Sequence, residues 1–254
     1  MEKEYGLQMY SVRDITKDSM RMALERVAKM GYSHVEFAGF FDYTAEQIRI
    51  WLDTFGLTAS GTHTGLDALT PENIGATIAY HKAIGCNHLI VPGANWKTEE
   101  KLNANIDALN AAQPILAEAG ISLGYHNHSG EFLVTPYGKV IEEEIIARTS
   151  IDLEIDTFWS FNAGVDTIAL LDRLADRINT VHLKDGIPTP PENRTYADWH
   201  SGVRGLSVGS GKAPVREVCA WAEKHGAKVV IESEGLDPTG LEEVGRCIDF
   251  LKSM

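Results

Sequence analysis

The stretch Leu116-Ala117-Glu118-Ala119-Gly120-Ile121-Ser122-Leu123-Gly124-Tyr125-His126-Asn127-His128 contains the unit from which the whole chain is built. Upstream of it, Ile106, Leu109 and Leu116 recur at helical spacing. Gly120 stops that helix, a short β-rich run follows, and the run ends in histidines. The same cycle recurs on both sides. Strand candidates are Tyr5–Tyr10, His34–Phe37, Thr58–Thr62, His88–Val91, Ser122–His126, Ile151–Ile155, Thr180–Leu183 and Val229–Ile231. Between them, Met20, Leu24, Val27 and Met30, then Ile48, Trp51, Leu52 and Phe55, mark apolar helix faces. Thr44 and Gln47 fit a capping box, and Gly31, Gly56, Gly85 and Gly226 each close a helix before a strand. Strict βα alternation predicts parallel strands joined by crossover helices, and eight such units close into an α/β fold, a single (β/α)8 TIM barrel over residues 1–254. A doubly wound sheet is the competing fold. It lacks its glycine-rich turn, since Gln8-Met9-Tyr10-Ser11-Val12-Arg13 follows the first strand.

One connection breaks the rhythm, at residues 186–211, after the seventh strand. It is rich in Pro, Gly and polar residues, with Tyr196, Trp199 and His200 interspersed, and reads either as a lid or as a solvent-exposed insertion or oligomer contact. Its end, Gly209-Ser210-Gly211-Lys212-Ala213, is not a phosphate loop, because Leu206 and Ala213 stand where a glycine and a magnesium-binding hydroxyl belong.

A chain of 254 residues with 44% hydrophobic content can bury one large core. The net charge of −13 excludes a phosphate-backbone partner and leaves small polar substrates open. No run approaches the roughly 20 apolar residues of a membrane span, and residues 1–4 lack the basic start of a signal peptide. Cys86, Cys219 and Cys247 are odd in number and widely spaced, which fits buried thiols and a cytoplasmic location. Homo-oligomerisation is left open.

Barrel enzymes carry their chemistry at the C-terminal ends of the strands. Here the third strand ends at His63, the fifth runs into His126-Asn127-His128-Ser129-Gly130-Glu131, the sixth ends at Asp156, the seventh contains His182-Leu183-Lys184-Asp185, and the eighth ends in Glu232-Ser233-Glu234. Carboxylates and an imidazole converging on one point suit one divalent metal ion, Mn²⁺, Co²⁺, Mg²⁺ or Zn²⁺. Such an ion polarises a carbonyl and stabilises the enediolate formed beside it. Asp156 could instead cap the next helix, and His182 could be a core histidine. Glu232 is harder to explain structurally, because an ionised carboxylate at the end of a buried strand needs a cation or donors. His63, His128, Trp159 and Glu234 are candidate substrate contacts; Tyr10, Glu36 and Phe161 also face the expected pocket. His34, His81, His88, His200 and His225 are assigned no chemistry.

These residues resemble a known family. Tyr125-His126-Asn127-His128 with Glu131-Phe132, Ile155-Asp156-Thr157, Val181-His182-Leu183-Lys184-Asp185 and Ile231-Glu232-Ser233-Glu234 are similar, in order and spacing, to the xylose isomerase-like TIM-barrel superfamily, in the branch of inosose dehydratase and sugar phosphate isomerase/epimerases. The resemblance implies a metal held by Asp156, His182, Glu232 and a strand-five glutamate. At that last position the chain has Gly124, so Glu131 is expected to reach back as fourth ligand, with His126 or His128 as alternatives. Trp159 stands where such epimerases often have a histidine. Endonuclease IV shares the fold and matches at His63, Asp156, His182 and Glu232, but the charge of −13 opposes DNA as substrate.

The expected activity is isomerisation or epimerisation of a small sugar, ketosugar or polyol. Glu131 and Glu232 would transfer the proton and Lys184 would steady the enediolate. On the same metal site, a lyase acting on an inosose or 3-keto-glycoside is the runner-up, with His126 as proton shuttle. A non-catalytic sugar-binding barrel is the third reading. Glu232 and Glu234, one residue apart, point to the same side of an ideal strand, with Glu232 expected as ligand.

Overall fold

In the computed structural model, which describes residues 4–254, eight parallel strands close into a barrel with helices between them. Residues 1–3, part of the segment read above as lacking a signal peptide, lie outside the described residues. The barrel strands are β1 (Gly6–Gln8), β2 (His34–Phe37), β3 (Thr58–His63), β4 (His88–Val91), β5 (Ser122–His126), β6 (Asp152–Asp156), β7 (Thr180–Leu183) and β10 (Lys228–Ile231). Two further strands, β8 (Asp185–Ile187) and β9 (Arg204–Leu206), pair antiparallel in the long connection after β7. The connection read as a lid or an insertion therefore contains a two-stranded ribbon. Among the described residues no helix is long and apolar enough to cross a membrane.

The alternation of side chains along each strand sorts the core into two shells. Leu123 and Tyr125, Leu153 and Ile155, Val181 and Leu183, and Val229 and Ile231 are buried in one hydrophobic cluster with helix residues such as Leu24, Leu109 and Leu116. The intervening residues, His126, Glu154, Asp156, His182 and Glu232, meet one another inside the barrel. Parallel register sets who meets whom: Gln8 lies beside Glu36, His126 beside Glu154, and Asp156 beside His182. Gly61 leaves room for this polar shell, since a Cβ there would stand 2.7 Å from Glu36 Oε2.

Helix punctuation follows the sequence. Thr44 and Gln47 form the reciprocal capping box, and Gly120, at φ 78°, reverses the chain between its helix and β5. The first strand is shorter than its apolar run. The Gln8 side chain accepts the N–H of Tyr10 and turns Met9–Val12 into a 3-10 helix. The three cysteines are buried and form no disulfide.

Outside the polar shell lies a buried carboxyl group without hydrogen bonds. Glu142, in the first turn of helix Ile141–Arg148, is fully buried and neither carboxylate oxygen has a hydrogen-bond partner. Burial pushes its pKa up from 4.5 to about 8, with Glu131 and Glu143 adding to the rise. An unfolded glutamate releases its proton near 4.5, so the folded state binds more protons between that value and about 8. Stability therefore falls as pH rises through this window. Glu142→Gln should flatten that fall and raise Tm at pH 8 by about 2–4 °C relative to the parent, the shift expected of about 1 kcal/mol in a chain of this size. Thermal melts of both proteins at pH 5 and pH 8 provide the check; equal melting losses in the two would refute the assignment.

Candidate active site

The C-terminal mouth of the barrel opens over a cluster of four carboxyl groups, three imidazoles and a lysine, nearly all shut off from water. His182, on β7, lies at its centre. Its Nε2 is 2.7 Å from Glu36 Oε1 and 3.2 Å from Glu154 Oε2, while its Nδ1 is 3.6 Å from Glu232 Oε2. His63 Nε2 sits between the same two inner glutamates, 3.0 Å from Glu36 Oε1 and 2.9 Å from Glu154 Oε2. Gln8 donates to Glu36 Oε1 at 2.7 Å, and His126 Nδ1 lies 3.2 Å from Glu154 Oε2.

Burial and pairing pull these groups in opposite directions. Burial alone would raise the pKa of Glu36, but the His182 and His63 imidazoles hold it well below the usual carboxylate range. Burial would lower His63, yet Glu36 and Glu154 carry it up to about 9, so it stays protonated at neutral pH. Glu154 rises to about 7 through burial and the neighbouring Glu36. Asp156 also rises to about 7, mainly through burial, with Lys184 opposing and Glu232 adding. His126 is held neutral by burial and by the histidines around it. Two carboxyls near 7 signal that the cluster is short of positive charge.

Four ligand atoms, one each from His126, Asp156, His182 and Glu232, lie within 4.8 Å of one another. Two of the available atoms, Asp156 Oδ2 and His182 Nδ1, are buried without a hydrogen-bond partner. His126 is neutral, with Nδ1 engaged by Glu154, so Nε2 is its nitrogen free of that pairing. Two carboxylates and two imidazole nitrogens suit a divalent cation of intermediate hardness, whose charge would offset the acidic excess. The residues therefore fit a metal. A second set, His63, His126, Glu154 and His182, is as compact, but its members are already bonded to each other. It acts behind the ligands, fixing both ring orientations as outer carboxylates do for metal-bound histidines.

Of the expected ligands, Asp156, His182 and Glu232 come together. Glu131 does not join them, which corrects the expected ligand set. Its carboxylate accepts the Tyr125 hydroxyl at 2.9 Å and the His128 N–H at 3.0 Å, and so closes the 3-10 turn Ser129–Phe132. The fourth residue that joins them is His126, the last inward-facing residue of β5, whereas Gly124 lies a layer deeper against His88. Asp156 caps the next helix and still has an oxygen to offer. Its Oδ1 accepts the Trp159 N–H at 2.7 Å, capping helix Thr157–Asn162, and its Oδ2 stays free.

Lys184 follows β7, with Nζ 2.9 Å from Glu234 Oε2, 3.6 Å from Glu232 Oε2 and 4.4 Å from the centroid of the Trp159 ring. Burial would lower its pKa, but Glu232, Glu234 and Asp156 raise it, so the ammonium is retained. The turn carrying Glu232 and Glu234 is braced from behind by buried Glu243, which accepts the Ser233 hydroxyl and the N–H groups of Gly235 and Asp237. Among the expected substrate contacts, His63, His128 and Glu234 line a cavity of about 460 Å³ over the cluster, which Tyr10 also borders. Trp159 borders a neighbouring one of about 440 Å³, together with Lys184, His128 and His200; Phe161 lines neither.

Sequence reasoning passed over Glu154. The signal was present, because Glu154 interrupts an apolar run two residues before Asp156 and so shares its inward face.

A family model described as xylose isomerase-like TIM barrel matches residues 24–254. The inosose dehydratase of Geobacillus kaustophilus is 27% identical over 186 residues, 64% of this chain and 60% of that protein. The chain thus spans less than two thirds of that relative's length. A sugar phosphate isomerase/epimerase from Parabacteroides distasonis superposes with TM-score 0.81 at 24% identity, covering 99% of this chain and 98% of that one. The IolI protein, solved with a bound zinc atom, superposes with TM-score 0.71 at 14% identity over 99% of this chain and 97% of its own.

Replacing either inner carboxylate, Glu36→Gln or Glu154→Gln, should weaken divalent-cation binding by about 10–100-fold, the usual effect of losing a group that orients a metal-bound histidine. Glu131→Gln should leave it unaltered. Calorimetric titration with Mn²⁺ or Zn²⁺ tests both statements, and loss of binding in the Glu131 variant alone would return that residue to the ligand set.

Proposed function

Taking as premise that this chain belongs to the xylose isomerase-like TIM barrel family, we propose that it is a metal-dependent sugar-modifying enzyme that removes a proton beside a carbonyl and then eliminates a β-substituent. The observation that carries this reading is the one-sided placement of the carboxylates that face the substrate cavity. Glu232 and Glu234 both come from the turn after β10, while the facing loop after β5 offers His128, because Glu131 is tied into its own turn. Epimerisation returns a proton to the opposite face, where no second carboxylate waits. Elimination needs one base and a proton for the leaving group.

Bound at His126, Asp156, His182 and Glu232, a divalent cation supplies electrophilic polarisation of the substrate carbonyl. Glu232, held ionised by Lys184 and His182 against the cost of its burial, accepts the proton from the adjacent carbon. The Lys184 ammonium faces the negative charge that develops on the carbonyl oxygen. His128, kept neutral by burial, relays a proton to the departing oxygen, a task for which His126 is too enclosed. The C–H electron pair becomes the new C=C bond, and the C–O bond breaks with its pair onto oxygen. The products are an unsaturated ketone and water or an alcohol. The likeness to inosose dehydratase supports this direction, and the bound zinc of IolI supports the cation.

Isomerisation is the second reading, favoured by the likeness to sugar phosphate isomerase/epimerases and by Glu232, which could return the proton on the same face of a neighbouring carbon.

Inososes and ketosugars offered in D₂O separate the two: elimination yields a product lighter by one water, isomerisation one that differs only by deuterium. Chelation should abolish turnover and Mn²⁺ or Co²⁺ should restore it; turnover indifferent to both would sink the proposal. Glu232→Gln should lose about 10²–10⁴-fold in kcat, as for loss of general base catalysis. Glu234→Gln should chiefly raise KM and keep its metal.

A further inference from the structure

The cavity over the acidic cluster does not end at the barrel mouth. His128 borders it, the neighbouring one beside Lys184 and Trp159, and a third of about 670 Å³. The first two also share Glu234 and are adjacent to Glu232 and Lys184. Together they offer ample room for one sugar ring, given that ligand sites for much larger molecules span roughly 300–1,000 Å³. The third is the largest, and a single reacting ring leaves it unused.

Its walls are braced. Trp96, from the loop after β4, is buried and donates its indole N–H to the Tyr125 hydroxyl at 2.8 Å. The Trp96 carbonyl accepts the hydroxyls of Tyr137 at 2.7 Å and Tyr196 at 3.0 Å, which ties the long loop across the mouth. The Trp199 carbonyl accepts Asn162 Nδ2 at 2.9 Å. Gly130 lets the Trp199 ring lie close, since a Cβ there would stand 3.1 Å from its Cδ1. Half-buried Tyr196 and Trp199 thus share this cavity with exposed Asn95 and Lys97. Flat aromatic surface beside hydrogen-bonding side chains suits a pyranose ring, whose C–H face stacks while its hydroxyl edge takes polar contacts.

We propose, building on the reading that the reacting ring lies over Glu232 and Lys184, that the 670 Å³ cavity is a subsite for a second sugar ring joined to the first through the departing oxygen. The substrate class is then a keto-disaccharide or longer glycoside. His128, where the three cavities meet, stands beside the bridging oxygen. Glu232 takes the C–H proton and the C–H pair becomes the new C=C bond; the C–O bond to the bridging oxygen breaks with its pair onto oxygen, and the proton passes from Glu232 through His128 to that oxygen, which leaves as a hydroxyl of the free second sugar. No oxidant, reductant or water is consumed.

Unoxidised glycosides test the subsite without requiring turnover. Calorimetric titration of the metal-loaded protein with cellobiose, maltose, methyl β-glucoside and phenyl β-glucoside should show a disaccharide binding about ten-fold more tightly than the methyl glucoside, the gain expected of one aromatic stacking contact. Trp199→Ala removes the stacking face and Ala197→Trp fills the outer cavity; both should collapse the ratio towards one. Equal binding of disaccharides and methyl glucoside, or a preference that survives both variants, overturns the proposal. Phenyl glucoside binding more tightly than either disaccharide, with that advantage lost in the same variants, overturns the second sugar in favour of an aryl group. The two readings fail separately. Disaccharide preference without turnover of any keto-glycoside under Mn²⁺ defeats the elimination chemistry and leaves the subsite standing, whereas elimination from keto-glycosides with no disaccharide preference does the reverse.

Discussion

Everything at the barrel mouth depends on His182 having a carboxylate at each ring nitrogen, Glu36 on the inner side and Glu232 on the outer. The ring and Glu36 are wholly buried and Glu232 nearly so. Charges so placed are costly to desolvate and are tolerated only when paired. The partners are remote in sequence: Glu36 is 146 residues from His182 and meets it only when β2 and β7 face each other across a closed barrel. Closure of the sheet and neutralisation of these charges are one event. Truncating one member would strand the others, at the roughly 3–5 kcal/mol typical of breaking a buried pair.

The same network makes the site ready for a cation. Two inner glutamates each engage one nitrogen of His126 and His182, which leaves the other nitrogen of each ring to the group that includes Asp156 and Glu232. His63 supplies a proton's worth of charge between the glutamates, which prevents two carboxylates that close together from expelling each other. Unpartnered atoms lie at both depths, Glu36 Oε2 and Glu154 Oε1 inside and Asp156 Oδ2 and His182 Nδ1 towards the mouth, and both Glu154 and Asp156 titrate near 7. The cluster's shortage of positive charge thus extends from the barrel interior to its outer edge.

The fold was legible because each βα unit carries its own punctuation, and Gly120 between Leu116 and Leu123 is the pattern in miniature. The convergence of Asp156, His182 and Glu232 at the barrel mouth was legible for a related reason: each ends or interrupts an apolar run, where a polar residue must face either solvent or the barrel interior. Glu131 was expected in the same cluster because distance along the chain was substituted for side-chain direction. Glu131 is near the end of β5 in sequence, but a 3-10 turn carries it aside, while His126 is still on the strand and faces inward. Glu154 was missed by the same neglect of alternation. Its partners lie 28 and 91 residues away, and nothing local announces them.

The long connection after β7 shows how a loop can shape a pocket without having to swing. Its sequence allowed a lid or an idle insertion, and the structure gives a different solution. Asp185 accepts four backbone N–H groups, from Gly186, Gly209, Gly211 and Ala213, and so gathers both ends of the loop at one carboxylate. The β8–β9 ribbon continues from there, and Tyr196 and Trp199 are fastened to the loop after β4 and to Asn162. A segment held at its base and again at its aromatic tip keeps a fixed wall against the cavity. The preorganisation that sets the cluster's charges therefore extends to the rim, where the ordering cost of an aromatic contact surface is met during folding rather than on binding.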